Sequence, residues 1–247
     1  MNTLALLGAA LIGLPLGLTG AGGSIITLPV LVYLAVVPPK EAVGLSLFVV
    51  GAAALVGAFQ RFRSGDFHLK AAMMFAISGM AGAAGGAQLT PLVSARVLMI
   101  IFAVLMLVVA INMLAGSKQD HPEGSDCHPW KCLLAGLGVG ILTGFIGVGG
   151  GFLLMPALVK FARLPLRVAT GTSLAVISFN SVAGFVSHFG EAPPRWSMAF
   201  VFATIAAAGV ILGASFAKRL PVARLRQAFA FMVIATGTFV LWQSWVK

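Results

Sequence analysis

The stretch Gly17-Leu18-Thr19-Gly20-Ala21-Gly22-Gly23-Ser24-Ile25-Ile26-Thr27-Leu28-Pro29 decides how this chain is read. A second copy, Gly144-Phe145-Ile146-Gly147-Val148-Gly149-Gly150-Gly151-Phe152-Leu153-Leu154-Met155-Pro156, follows 127 residues later. Both spell G-x2-G-x-G-G-x5-P. Each copy lies between two short apolar runs of about 13 residues or fewer, ~20 Å as helix against a hydrocarbon core of ~30 Å. Glycine costs about 1 kcal/mol against alanine inside a helix. Four glycines in seven residues, twice, therefore break two helices at matching points. Each copy is expected to be the turn of a helical hairpin, with the returning helix starting at Ser24 and at Gly151. Pro29 and Pro156 are expected to shape the first turns of those returning helices. In a membrane, paired broken helices in two halves point to a transporter's binding site.

The chain has 247 residues, of which 60% are hydrophobic and 9% charged, with mean hydropathy +1.04. Soluble domains carry about 25% charged residues, so the composition places this chain in a lipid bilayer. Its apolar runs approach ~20 residues, which suits helices and not the ~10-residue alternation of a barrel. The fold class expected is an all-α integral membrane protein. The net charge of +10 sits mainly at the ends of apolar runs, the distribution that fixes membrane orientation, and no basic tail offers itself to nucleic acid. The first run has no Lys or Arg before it, so a cleaved signal peptide fits poorly. Cys127, Cys132, His121 and His128 share one polar stretch with Pro122, Gly124 and Pro129. Their spacing matches no common structural zinc site, and the stretch reads as a solvated loop. No metal and no cofactor are expected.

The repeat continues past the glycines. Ala42, Gly44, Ser46, Leu47, Val49 and Gly57 return as Ala169, Gly171, Ser173, Leu174, Val176 and Gly184 at the same spacing. Gly82 and Gly86 return as Gly209 and Gly213. With three extra residues, Pro91 and Arg96 return as Pro221 and Arg226. Duplicated halves follow: a first repeat over 1–116, a polar linker over 117–130 and a second repeat over 131–247. Beyond each hairpin, spans are expected over 42–59, 69–89 and 97–114, then 169–186, 198–216 and 228–245. Placing Arg61, Arg63 and Lys70, then Lys160, Arg163 and Arg167, then Lys218, Arg219, Arg224 and Arg226 in the cytoplasm puts equivalent loops on opposite sides. The expectation is two inverted repeats of about five helical elements each, with both termini outside.

Inversion brings the two glycine turns together near the midplane. A helix N-terminus carries free N–H groups and about +0.5 charge. Two of them facing one cavity bind an anion without a charged side chain. No expected span interior contains Lys, Arg, Asp, Glu or His; the polar residues there are small. The candidate anion site is Thr19, Gly20, Gly22, Gly23 and Ser24 from one turn and Gly147, Gly149, Gly150 and Gly151 from the other, with Ser46, Ser173 and Asn180. For each there is a plainer account. Glycines also pack helices closely, which is the better reading of Gly82, Gly86, Gly209 and Gly213. Ser46 and Ser173 line the cavity or bond back to the preceding turn. Asn180 lines the cavity or bonds helix to helix. The glycine run lacks a βαβ context, so it is no dinucleotide loop. No intramembrane Asp pair, HExxH or GxSxG is present, so no enzyme is expected.

The twofold glycine motif, the Ala-x-Gly-x-Ser stretches at Ala42–Ser46 and Ala169–Ser173, and the Pro91/Arg96 and Pro221/Arg226 helix starts resemble the TauE/SafE sulfite exporter (TSUP) family. The likeness covers nearly the whole chain except the linker. It implies a multi-pass transporter of the prokaryotic inner membrane that exports small anions, often sulfur oxyanions or organosulfonates such as sulfite, sulfoacetate and thiosulfate. It also implies that Gly20–Ser24 and Gly147–Gly151 form the core of the site. The two halves differ where Ser24 stands against Gly151 and Asn180 against Ala53. Expected partners are a small anion and the lipid bilayer. The coupling ion, proton or sodium, and the oligomeric state stay open. Two rivals belong to other classes: a passive anion channel, and a non-transporting scaffold for a sulfur or redox enzyme.

Overall fold

A computed structural model describes residues 3–89, 92–115, 129–146, 151–188, 195–217 and 219–246. The described residues form helices in the order α1 (Thr3–Thr19), α2 (Gly22–Pro29), α3 (Pro39–Arg63), α4 (Leu69–Ala87), α5 (Ala95–Ala115), α6 (Pro129–Ile146), α7 (Gly151–Phe161), α8 (Leu166–His188), α9 (Trp196–Ala217) and α10 (Val222–Val246). A π-helical turn, Val30–Leu34, continues α2. No strand occurs among the described residues.

The first hairpin forms as its glycines dictate. α1 ends where Gly20 takes φ +72°, a left-handed conformation that costs any residue with a Cβ. α2 then runs back along α1, with Gly23 against Ile12 and Leu16, and Val30 and Leu34 against Gly8. Two boundaries differ from expectation. α2 starts at Gly22 and not Ser24. The outgoing arms are also longer than the apolar runs: α1 has 17 residues and α6 has 18, ~25 Å of helix. The reason is that Gly17 and Gly144 stay inside those helices. The prolines lie deeper than the first turn. Pro29 closes α2, and Pro156 stands in the second turn of α7. Proline has no N–H and crowds the preceding turn. After Pro29 the ladder widens, with Ala35 N–H reaching Val30 O at 3.0 Å across five residues.

Packing follows the repeat. α1 lies on α9 as α6 lies on α4, and α3 lies on α9 as α8 lies on α4. The equivalents α3 and α8, α5 and α10, and α2 and α7 meet each other. At α1/α9 a Cβ added to Gly13 or Gly17 would stand 2.1 or 2.2 Å from the carbonyl oxygens of Ala206 or Val210. At α6/α4 the same addition at Gly140 or Gly144 would meet the carbonyls of Gly79 or Ala83 at 2.2 or 2.0 Å. These helix pairs touch backbone to backbone, the close approach that small residues permit between membrane helices. Gly82, Gly86, Gly209 and Gly213 serve the same contacts, as the packing account expected. α3 and α8 run antiparallel: Gly51 faces Ser181, Gly57 faces Leu174, and Gly184 faces Leu47.

Apolar side chains cover the outside in helical stripes, such as Leu7, Leu11 and Leu14 on α1, Val104, Val108 and Ile111 on α5, and Phe179, Val182 and Val186 on α8. Ser24, Thr27, Ser46, Thr172, Ser173 and Asn180 lie inside. That polarity suits lipid as solvent. Three helical stretches, 41–63, 166–187 and 196–217, are long and apolar enough to cross a membrane. The first two are the more enclosed, 67% and 72% buried against 44% for the third. α3 and α8 therefore form the centre. His121, Cys127 and His128 lie outside the described residues. Cys132 is buried, its Sγ 3.7 Å from the Phe161 carbonyl oxygen. Among the described residues no three His, Cys, Asp or Glu gather as a metal site would require.

Candidate functional site

The first glycine turn is built by reciprocal bonds. Gly20 N–H donates to Leu16 O at 2.8 Å and ends α1. Thr19 Oγ1 donates to Pro15 O at 2.9 Å and accepts from Gly22 N–H at 3.0 Å. One hydroxyl thus spans the break and answers one of the N–H groups that a first helical turn leaves without helical partners. Ser24 Oγ returns to Ala21 O at 2.8 Å. Each glycine has its own reason. Gly20 needs the left-handed backbone, and Gly23 packs on α1, where a Cβ would stand 2.0 Å from Ile12 O. At Gly22 the nearest obstacle is the flexible end of Met232 on α10.

The second half reaches this turn from α8. Ser173 Oγ lies 2.9 Å from both Gly20 O and Thr170 O. Of the two readings open for Ser173, bonding back to its own helix therefore occurs, and the same hydroxyl also fastens the other half's turn. Its equivalent, Ser46, bonds back to Val43 O at 2.8 Å. The start of α7 reaches the start of α2: a Cβ added to Gly151 would stand 2.9 Å from Ser24 Oγ and 3.2 Å from Ala21 Cα. Ser24 and Gly151 are equivalent residues of the repeat, so the two half-helix N-termini meet where the halves exchange. Gly147, Gly149 and Gly150 lie outside the described residues. Asn180 is buried on the same face of α8 as Ser173, seven residues and about 10 Å further along.

Sequence reasoning counted Arg61 among the basic residues that close a span on the cytoplasmic side, and the structure buries it beside the first glycine turn. Arg61 belongs to the last turn of α3 and is 2% exposed. Its Nη2 donates to Gly17 O at 3.3 Å, and its Nη1 pairs with Asp66 Oδ2 at 3.4 Å. The guanidinium therefore answers a carbonyl at the C-terminal end of α1, where the helix dipole favours a cation. Gly171 on α8 makes room for it: a Cβ there would stand 2.8 Å from Arg61 Cβ and 2.0 Å from Asp66 O. The loop is also fastened through His68 N–H to Thr172 Oγ1 at 3.1 Å. So Arg61, the α3–α4 loop, the start of α8 and the first glycine turn form one connected unit. No sequence signal marked this contact, because Gly171 returns Gly44 in the repeat and neither glycine says in sequence what it makes room for. At the other end of α3, Glu41 Oε1 lies 3.0 Å from Arg195 Nε, an ionic contact without hydrogen-bond geometry.

Helices with apolar outer stripes, with Asn180 and hydroxyls such as Ser24 and Ser173 inside, define a helical membrane protein. The comparisons give the family. The sulfite exporter TauE/SafE family profile matches residues 5–240, and the chain belongs to that family of membrane transporters. A probable membrane transporter protein of Xylella fastidiosa (strain Temecula1) is 31% identical over 96% of this chain and 94% of its own length. The probable membrane transporter protein YunE of Bacillus subtilis is 24% identical over 92% of each chain. Sulfite exporter TauE/SafE family protein 6 of Arabidopsis thaliana is 28% identical over 53% of this chain and 29% of its own. No solved structure matches.

Proposed function

We propose that this chain is a secondary transporter exporting a small anion, a sulfur oxyanion or organosulfonate such as sulfite, by alternating access around a midplane site. The observation that carries the reading is the meeting of Gly151 with Ser24 and Ala21, which joins the N-termini of two half-helices. The N–H groups that follow Gly22, on Gly23 and Ser24, are the donors an anion would use, with Gly147, Gly149, Gly150 and Gly151 supplying the opposite set. Thr19, Gly20, Ser46 and Ser173 shape the turns, and Asn180 lies further along the route. Such a site attracts an anion through partial charges, while the nearby Arg61 guanidinium is committed to Gly17 O and Asp66.

The halves, 1–116 and 131–247 joined through 117–130, are inverted in this reading. Its support is the antiparallel meeting of α3 and α8, in which Gly57 faces Leu174 and its equivalent Gly184 faces Leu47. A two-fold axis crossing both helices produces that exchange, and such an axis lies in the plane of the membrane. Rocking one half against the other would then open each face in turn. The protein would sit in the prokaryotic inner membrane with lipid as its main partner. The test is uptake of labelled sulfite into liposomes carrying the purified protein. Saturable flux with counterflow, lost in Gly22→Leu while that variant still inserts, is the expected result. Flux without saturation or counterflow would make the protein a passive channel. Undiminished transport in Gly22→Leu would remove the glycine turn from the mechanism.

A further inference from the structure

Buried hydroxyls on the described helices commonly close a bond on their own helix, as Thr27 does to Gly23 O and Thr172 to Val168 O. Asn180 and Ser181 do not. Asn180 is 2% exposed and Ser181 1%, yet Asn180 Nδ2 and Oδ1 and Ser181 Oγ have no hydrogen-bond partner. A buried polar atom left unmatched costs about 1–3 kcal/mol, so such a group calls for a guest. The amide also has a space made for it. A Cβ added to Gly79 on α4 would stand 2.7 Å from Nδ2 and 2.8 Å from Oδ1. In the equivalent helix pair, α3 against α9, the corresponding residues are Ala53 and Ala206. Against that pair, α8 carries an amide and α4, the helix facing it, lacks a methyl.

The guest's chemistry follows from the amide. Nδ2 offers donors and Oδ1 offers an acceptor. A halide or fully ionised oxyanion answers the donors alone, and a metal cation answers the acceptor alone. A small oxyanion that keeps one proton answers both, its O–H donating to Oδ1 and its bare oxygens accepting from Nδ2. The station also lies on the anion's path. Ser173, Ile177 and Asn180 occupy one face of α8 at spacings of four and three. Ser173 holds Gly20 O, and Ile177 Cδ1 would stand 2.6 Å from a Cβ at Gly151. We infer that Asn180 is a second station beyond the paired helix N-termini, selective for the monoprotonated form of a small oxyanion. This rests on the transport reading above.

The ionisable residues of the surrounding helices all stand near helix ends. Glu41 and Arg61 are each ten positions from Gly51 on α3, and Lys70 is nine from Gly79 on α4. Arg167 and His188 bound α8, with Lys131 at the start of α6 and Lys160 near the end of α7. All are about 12 Å or more along the helices from the residue facing Asn180, or from Asn180 itself. The proton therefore enters and leaves on the substrate. Each hydrogen oxyanion that crosses and then ionises releases one proton on the far side, and the protein exchanges none.

The probes are sulfite, below and above its second ionisation, and methanesulfinate, which matches hydrogen sulfite in charge and approximate size but carries a methyl in place of the hydroxyl. Apparent dissociation constants are read by thermal shift on purified protein. The variants are Asn180→Ala and Asn180→Ala with Gly79→Ala, the second restoring the Ala53/Ala206 pairing so that no gap threatens the fold. In wild type, hydrogen sulfite is expected to bind at least about tenfold tighter than methanesulfinate, one hydrogen bond's worth, and to weaken as pH rises. In the double variant that ratio falls to near one. An unchanged ratio in a folded double variant overturns the inference and leaves a buried water as Asn180's guest. Wild type binding neither probe at any pH overturns the transport reading, and this inference with it.

Discussion

Three glycine-to-alanine variants separate backbone strain from steric contact at the first turn. Gly44 lies in α3 with no heavy atom within 4 Å of an added Cβ, so Gly44→Ala gains helix propensity, up to about 1 kcal/mol. Gly65 has φ +77° and open space around it, so Gly65→Ala carries strain alone, about 1–2 kcal/mol. Gly20 has φ +72°, and its added Cβ would stand 2.5 Å from Thr170 O, 2.7 Å from Thr170 Cγ2 and 2.8 Å from Ser173 Oγ. Overpacking adds about 1–3 kcal/mol to the same strain, giving about 2–5 kcal/mol in total. For a chain of this size each kcal/mol moves Tm by roughly 2–4 °C. Tryptophan fluorescence during heating of detergent-purified protein reads the series. The expected order is Gly44→Ala at or above wild type, Gly65→Ala a few degrees below, and Gly20→Ala lowest. Gly20→Ala no less stable than Gly65→Ala would refute the argument that Thr170 and Ser173 hold the turn.

Gly17→Ala and Gly144→Ala should each lose about 1–3 kcal/mol, because they act at equivalent backbone contacts of α1/α9 and α6/α4, while Gly138→Ala, with open space, is neutral or better; unequal losses at the equivalent pair would break the symmetry argument. Arg61→Ala leaves Gly17 O and Asp66 without their donor and should cost about 1–3 kcal/mol, below the loss for a fully buried pair because Asp66 keeps solvent contact. Arg63→Ala, exposed and over the Phe59 ring at 5.2 Å, should cost under about 1 kcal/mol; equal Tm losses for the two arginines would remove Arg61 from the glycine-turn unit. Glu41→Gln opens a half-exposed ion pair with Arg195 and should shift Tm by no more than the value of a surface pair, ~1 kcal/mol; a larger loss would mean that this contact holds α3 to the region before α9.

Membrane character, the duplication, the breaks at the glycine motifs and the family were legible in the sequence, because each depends on local chemistry. Hydropathy reports the solvent, a fixed spacing reports duplication, and a glycine cluster ends a helix wherever it stands. The sequence also marked Ser24, Ser173 and Gly151 as special. It could not say that Ser173 would spend its hydroxyl on Gly20 O, since that contact joins residues more than a hundred positions apart. Arg61 looked like one more basic residue closing a span, and only the approach of α1 and Gly171 buried it. Asn180 looked like a lone amide in an apolar run, and only the packing of α4 placed Gly79 beneath it and left both of its polar atoms without a partner. Composition and periodicity fix what each segment is. Which of two polar groups is satisfied, and which waits for a guest, depends on what the other half of the chain brings within 3 Å.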